Sequence, residues 1–264
     1  MTAAALTIAG SDSGGAGIQA DLKSFSARGV YGCSAITAVT AQNTRAVTVI
    51  HPIPPEVIRA QIDAVLSDIS VSAIKIGMLG NVETITAVAE AVAGFEGPIV
   101  LDPVMIAKSG DALLEDHAVG ALISRLAPLV TIITPNIPES ARLTEDDEAT
   151  TDAQRMSQAR RLQDMGAKAV LLKGGHAQGR LCVDWLFEGD EGLALQAERI
   201  NTLNTHGTGC GYAAAIAAEM AKGCLVATAV QTAHGWLHAA IARSDTLAIG
   251  QGHGPVHHFH GIWT

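Results

Sequence analysis

Aromatic side chains are scarce in this chain: four Phe, two Tyr and three Trp make up 3% of 264 residues. The core must therefore be aliphatic, drawn from the 48% of hydrophobic residues. Basic residues are also few. Seventeen Lys and Arg stand against 26 Asp and Glu, a net charge of −9 with no basic cluster, which argues against a nucleic-acid or anionic-membrane surface. Cysteine is limited to Cys33, Cys182, Cys210 and Cys224, without C-x-x-C or Cys/His spacing, so neither a disulfide framework nor a zinc site is indicated. No apolar run approaches the length of a membrane span, and the first apolar strand begins almost at Met1, leaving no room for a leader; the expectation is a cytoplasmic protein. With no linker, repeat or low-complexity stretch, residues 1–264 read as one domain.

What is present is an alternation of short apolar runs and longer amphipathic ones. Residues 4–9, 34–40, 73–77, 99–102, 131–134 and 169–173 read as buried strands, and 18–27, 55–69, 82–93, 112–126 and 153–165 as helices. Residues 181–187 and 193–200, separated by 188–192, read as a late antiparallel hairpin, followed by helices near 211–221 and 226–242. The charged stretch 144–152 reads as a solvated connection. This order predicts an α/β fold, a mainly parallel sheet covered by helices on both faces. Ligands of such sheets bind beyond the carboxyl ends of the strands. Polar and glycine-bearing segments fall there at residues 10–17, 41–44, 77–80, 102–105, 135–139 and 173–176.

One segment carries a specific chemistry. Asn204-Thr205-His206-Gly207-Thr208-Gly209-Cys210-Gly211 runs into an alanine-rich helix, a turn whose unpaired N–H groups and helix dipole suit phosphate oxygens. Cys210 stands where that dipole is expected to lower its thiol pKa, making it a candidate base. The plainer alternative is a packed thiol after a glycine turn. Free N–H groups of residues 10–17 would offer a second anion site.

Read together with Ala9-Gly10-Ser11-Asp12-Ser13-Gly14-Gly15-Ala16-Gly17-Ile18-Gln19-Ala20-Asp21-Leu22-Lys23, that segment resembles the ribokinase-like superfamily, and within it the hydroxymethylpyrimidine and phosphomethylpyrimidine kinases of thiamine biosynthesis. The likeness continues through Ala41-Gln42-Asn43-Thr44, Lys75-Ile76-Gly77-Met78, Lys108-Ser109-Gly110-Asp111, Thr134-Pro135-Asn136, Lys173-Gly174-Gly175-His176, Asp184-Trp185-Leu186 and Gly254-Pro255-Val256-His257-His258-Phe259-His260. It departs in a first loop one residue shorter than usual and in Gly211, where a hydroxyl residue is common.

The resemblance implies ATP- and magnesium-dependent phosphorylation of a hydroxymethyl pyrimidine, then of its monophosphate, by a homodimer. It implies Cys210 as catalytic thiol, with Gly207, Thr208, Gly209 and Lys173 around the migrating phosphoryl group. Gln42, Asp21, Gly10, Met78 and Val104 would meet the pyrimidine, the amide of Gln42 pairing with the aminopyrimidine edge. Asn136, Lys173, Gly207 and Gly209 would hold the nucleotide, and Glu139 and Asp102 the metal through water. Asn136-x-x-Glu139 is equally a helix capping pair. A pyridoxal or pyridoxine kinase of the same fold, or a vitamer sensor without turnover, remain alternatives. The histidines at 253, 257, 258 and 260 read as a packed tail.

Overall fold

The computed structural model describes residues 2–106, 110, 112–175 and 179–263; Lys108, Ser109, Asp111 and His176 of the motifs above lie outside them. Strand β1 (Ala4–Ala9), wholly buried, is parallel to β2 (Tyr31–Ile36) on one side and β5 (Val71–Ile76) on the other. The sheet continues in parallel through β6 (Ile99–Leu101), β7 (Ile132–Ile133) and β8 (Ala169–Leu172). Antiparallel β9 (Leu181–Glu188) and β10 (Glu191–Glu198) complete the order β10-β9-β8-β7-β6-β5-β1-β2. This is the predicted architecture, late hairpin included.

Side-chain alternation along the strands divides the core in two. Leu6, Ile8, Ile74, Ile76, Leu101 and Ile133 pack with the helices α2 (Pro55–Leu66), α3 (Val82–Val92), α4 (Val119–Leu126), α5 (Ile137–Thr144) and α6 (Asp152–Asp164). The opposite face, with Ala5, Ala73, Val100 and Ile132, packs with α1 (Gly17–Ala27), α7 (Thr208–Ala221) and α8 (Val226–Ala242). Small residues on both surfaces let α7 lie close on the sheet: every residue from Gly211 to Ala221 is buried. Its N-terminus is thereby held at the carboxyl ends of the strands.

The largest departures from the sequence reading are three. The run 34–40 is two strands, because the chain turns at Thr37, whose hydroxyl donates to the Met78 carbonyl at 2.6 Å. Beyond it β3 (Ala38–Gln42) pairs with β4 (Val47–Pro52) in a separate antiparallel ribbon. The helix predicted over 112–126 forms only from Asp116, as a 3-10 turn running into α4, because the amides of Leu113 and Leu114 bond the Met105 carbonyl. The loop of the late hairpin narrows to Gly189 and Asp190, with Gly189 at φ +59.

The C-terminal tail is packed in part: Val256, His257 and His258 are buried and His260 half-buried, whereas His253 is exposed, and His206 forms a parallel bridge with Pro255. Among the described residues no group of three or more His, Cys, Asp or Glu could hold a metal, and no helix is long and apolar enough to cross a membrane.

Candidate active site

Two glycine loops meet at the carboxyl ends of β1 and β5. A Cβ on Gly207, which sits at φ +77, would fall 1.8 Å from the Gly15 carbonyl oxygen, and one on Gly15 would fall 2.4 Å from the His206 ring. Only glycine fits either position. The contact is completed by Asp12: its Oδ1 accepts from the amides of Gly14 and Gly15 at 2.8 and 3.2 Å, and its Oδ2 lies 2.6 Å from His206 Nε2. Burial pushes the Asp12 carboxyl up, but the bond to His206, the imidazole's charge and the two amides outweigh it and hold the group at about 2.

That arrangement narrows one expectation. The amides of Gly14 and Gly15 are turned inward onto Asp12, those of Ser11 and Ile18 bond the carbonyls of Ala38 and Gly10, and that of Asp12 bonds Gln19. The amides of Ser11, Asp12, Gly14 and Gly15 are therefore not free for an anion.

At the start of α7 the situation is reversed. Among the described residues the amides of Gly207, Gly209 and Cys210 have no hydrogen-bond acceptor. Lys173 Nζ lies 3.5 Å, and Asp102 Oδ2 3.6 Å, from the point where a Cβ on Gly209 would stand. Lys173, next after β8, is ion-paired with Asp102, next after β6, at 2.8 Å. Burial pushes the Lys173 ammonium down, but Asp102 and Glu139 more than restore it, so the group stays charged. Unpaired N–H donors, the helix dipole and a lysine converge here, as anion binding requires.

Cys210 is half-buried at the same place, and its thiol is pushed up to about 12. Burial is the main cause; the Lys75 ammonium pulls the other way, while Asp21 and Asp102 add to the rise. The expected lowering by the helix end is overturned because a helix terminus contributes about 0.3–2 kcal/mol, less than loss of hydration removes.

Asp21 also differs from expectation. It points inward from α1 with its side chain 0% exposed, paired at 2.8 Å with an equally buried Lys75 and accepting from the Thr7 hydroxyl at 2.6 Å. It cannot touch a pyrimidine from there; it belongs to a charged layer behind the thiol. Burial raises its pKa, with Lys75 and Thr7 opposing. Lys75 was not singled out from the sequence, although a lysine inside the buried run Val71-Ser72-Ala73-Ile74-Lys75-Ile76 is a signal in itself.

Gln42 ends β3 half-buried, its Oε1 3.2 Å from the Thr40 hydroxyl, which lies 2.8 Å from the Ser11 carbonyl. Gly10 packs directly on Met78: a Cβ there would lie 2.9 Å from the Met78 sulfur. Gln42, Gly10 and Met78 are thus tied to the first loop and the turn at Thr37. Val104, two residues past Asp102, is half-buried at the same end of the sheet. Met78 also borders a cavity of about 200 Å³, lined by Thr37, Ile50, Leu79 and Leu113 among others.

Asn136 and Glu139 form a reciprocal capping box on α5: the Glu139 amide donates to Asn136 Oδ1 and the Asn136 amide to Glu139 Oε2, both at 2.8 Å. The capping alternative is realised, and it fixes Glu139 as a buried carboxyl beside Lys173. Burial raises it to about 7, Lys173 opposing and Asp102 adding to the rise. Asp184, buried on β9, accepts the Gly174 amide at 2.8 Å and so holds the turn after Lys173.

Comparison with known proteins agrees with this geometry. A family profile described as phosphomethylpyrimidine kinase matches residues 12–257. The hydroxymethylpyrimidine/phosphomethylpyrimidine kinase of Rhizobium meliloti is 55% identical over 264 residues, covering 100% of this chain and 99% of that one. Among solved structures, the ADP complex of Bacillus subtilis pyridoxal kinase superposes with a TM-score of 0.91 at 38% identity, covering 100% of both chains. The phosphomethylpyrimidine kinase of Clostridium difficile gives 0.80 at 40% identity, covering 91% of this chain and 100% of that one.

Proposed function

This chain belongs to the phosphomethylpyrimidine kinase family, and on that premise we propose that its site moves the γ-phosphoryl group of ATP to 4-amino-5-hydroxymethyl-2-methylpyrimidine, then a second one to the monophosphate, on the route to thiamine diphosphate. The observation that carries the reading is the set of unpartnered amides at Gly207, Gly209 and Cys210 beside the Lys173–Asp102 pair. Phosphoryl transfer asks the protein for positioning and charge stabilisation more than for covalent chemistry. In this reading Lys173 and the amides of Gly207, Gly209 and Cys210 stabilise charge on the migrating group, while the Thr208 amide, bonded to the Thr205 carbonyl, shapes the turn. Asn136 sets the edge of the nucleotide site through the turn it caps.

Asp102 and Glu139 fit magnesium, which uses one or two carboxylates and completes its shell with water and phosphate oxygens. When bound, the ion neutralises triphosphate charge. With Glu139 near 7 in the free site, metal binding there would displace a proton.

A thiol at about 12 is ionised in roughly one molecule in 10⁵ at pH 7. Cys210 therefore meets the acceptor hydroxyl as a neutral hydrogen-bonding group that fixes its direction, and in a loose transition state the hydroxyl needs little prior activation. Gln42 reads the ring nitrogen and exocyclic amine, with Met78 and Val104 against the ring faces. The reading takes residues 1–264 as one kinase domain, acting in the cytoplasm as a homodimer. Val39 and Val49, exposed on the β3–β4 ribbon, are compatible with self-association.

Acceptor competition tests the reading. The pyrimidine should be phosphorylated with higher kcat/KM than pyridoxal, and Gln42→Leu should raise KM for the pyrimidine at least about tenfold while leaving KM for ATP unchanged, since a site built to hydrogen-bond its substrate is left unpaired. Preference for pyridoxal, or equal effects on both substrates, would overturn it.

A further inference from the structure

We infer that Asp12 and His206 are a positioning pair for the transfer, locking the acceptor-side loop to the phosphate cradle. The inference rests on the proposed function and adds two residues to which that reading gives no role.

The geometry is unusually tight. Both side chains are buried, at 2% and 8% exposure, and their 2.6 Å contact joins residues 194 positions apart. A buried charged or hydrogen-bonded pair is a poor source of net stability compared with apolar packing, so its value lies in fixing one arrangement. Here the arrangement fixed is the register of two loops. Asp12 gathers the amides of Gly14 and Gly15 on one oxygen and holds His206 with the other.

The His206 backbone is anchored from a third direction: its amide donates to the Gly254 carbonyl at 3.0 Å and its carbonyl accepts from the Val256 amide at 3.3 Å. The ring packs where Gly15 has no room for a side chain, and the next residue, Gly207, packs where the Gly15 carbonyl leaves none. There is no slack between the loops. Any displacement of His206 is passed directly to Gly207 and the free amides that follow it.

Asp12 and His206 do not touch the reacting atoms, so they act through the loops. Misalignment of donor and acceptor by about 1 Å is enough to lower transfer roughly 100-fold, without loss of either substrate's affinity.

The test uses His206→Ala, His206→Gln, Asp12→Ala and the double alanine variant of the full chain. Each is checked for folding by circular dichroism, and ADP binding is measured by calorimetry. His206→Ala and Asp12→Ala should each lower kcat by about 10- to 100-fold, with ADP affinity held within about threefold. The double variant should be no worse than the poorer single, as for groups acting as a unit. His206→Gln, whose amide nitrogen can replace Nε2 as donor to Asp12, should recover most of the loss.

A folded His206→Ala enzyme with kcat within about twofold of wild type, multiplicative losses in the double variant, or no rescue by glutamine would each overturn the inference. Should the alanine variants not fold, Asp12→Asn decides: it keeps an acceptor for the Gly14 and Gly15 amides and removes the charge. It should lower kcat at least about fivefold, and wild-type kcat would refute the pair. A wild-type enzyme that phosphorylates pyridoxal but not the pyrimidine would overturn the functional reading alone, and the same comparisons then apply to that acceptor.

Discussion

Replacing Lys75 by methionine isolates the charged layer behind the thiol. Lys75 and Asp21 are both 0% exposed and 2.8 Å apart, and Asp21 Oδ1 has no partner of its own. Removing one member of a buried pair destabilises by about 3–5 kcal/mol. Protonation sets a ceiling. In Lys75→Met the folded-state pKa of Asp21 rises further above its unfolded value near 3.9, so the folded protein holds a proton that the unfolded chain has released. Stability then falls as pH rises from about 4 toward that raised value. The loss cannot exceed about 1.36 kcal/mol per pH unit above 3.9, or roughly 4 kcal/mol at pH 7 and roughly 1.5 kcal/mol at pH 5. In a chain of this size the former corresponds to a Tm lower by roughly 8–16 °C. Urea unfolding at pH 5, 6 and 7 measures it, with the Asp21→Asn, Lys75→Met double variant as control. The double variant should regain stability at pH 7 and lose the pH dependence. A single-variant loss that is equal at pH 5 and 7, or below about 1 kcal/mol at both, would refute the buried-pair reasoning.

Cys210, with a thiol near 12, should resist iodoacetamide at pH 8 while Cys182 and Cys224 react; peptide mass spectrometry reads this, and comparable labelling of Cys210 would show a thiolate the structure does not support. Gly211→Ser should stabilise the fold, because a Cβ there stands 3.7 Å from His258 Nε2, a buried nitrogen without a partner, and 3.6 Å from Ser24 Oγ. A gain of about 1–1.5 kcal/mol combines helix propensity with one hydrogen bond, and unchanged urea unfolding would contradict it.

The sheet and most helices were legible because aliphatic runs bounded by Gly, Pro, Asp or Lys have few alternatives to a buried parallel strand. Ribbon strand β4 carries the β-branched run Val47-Thr48-Val49-Ile50 but escaped, because it pairs only with β3 outside the main sheet and most of its residues are exposed, unlike the buried runs that marked the other strands. Residues 112–115 carried helical periodicity, but the Met105 carbonyl offered a tertiary partner that a local pattern does not encode. Site residues at strand ends, such as Asp102 and Lys173, could be placed from topology alone. Asp21 and Cys210 could be located but not assigned an environment: whether a carboxyl faces a ligand or a buried lysine, and whether a dipole or desolvation governs a thiol, depends on neighbours far apart in the chain.

A single time course tests the central claim most directly: purified protein, ATP, magnesium and the hydroxymethyl pyrimidine followed by phosphorus NMR. A phosphate monoester should appear with ADP and then give way to a diphosphate ester as a second ADP forms. Formation of ADP without either ester, or no consumption of ATP, would contradict the account.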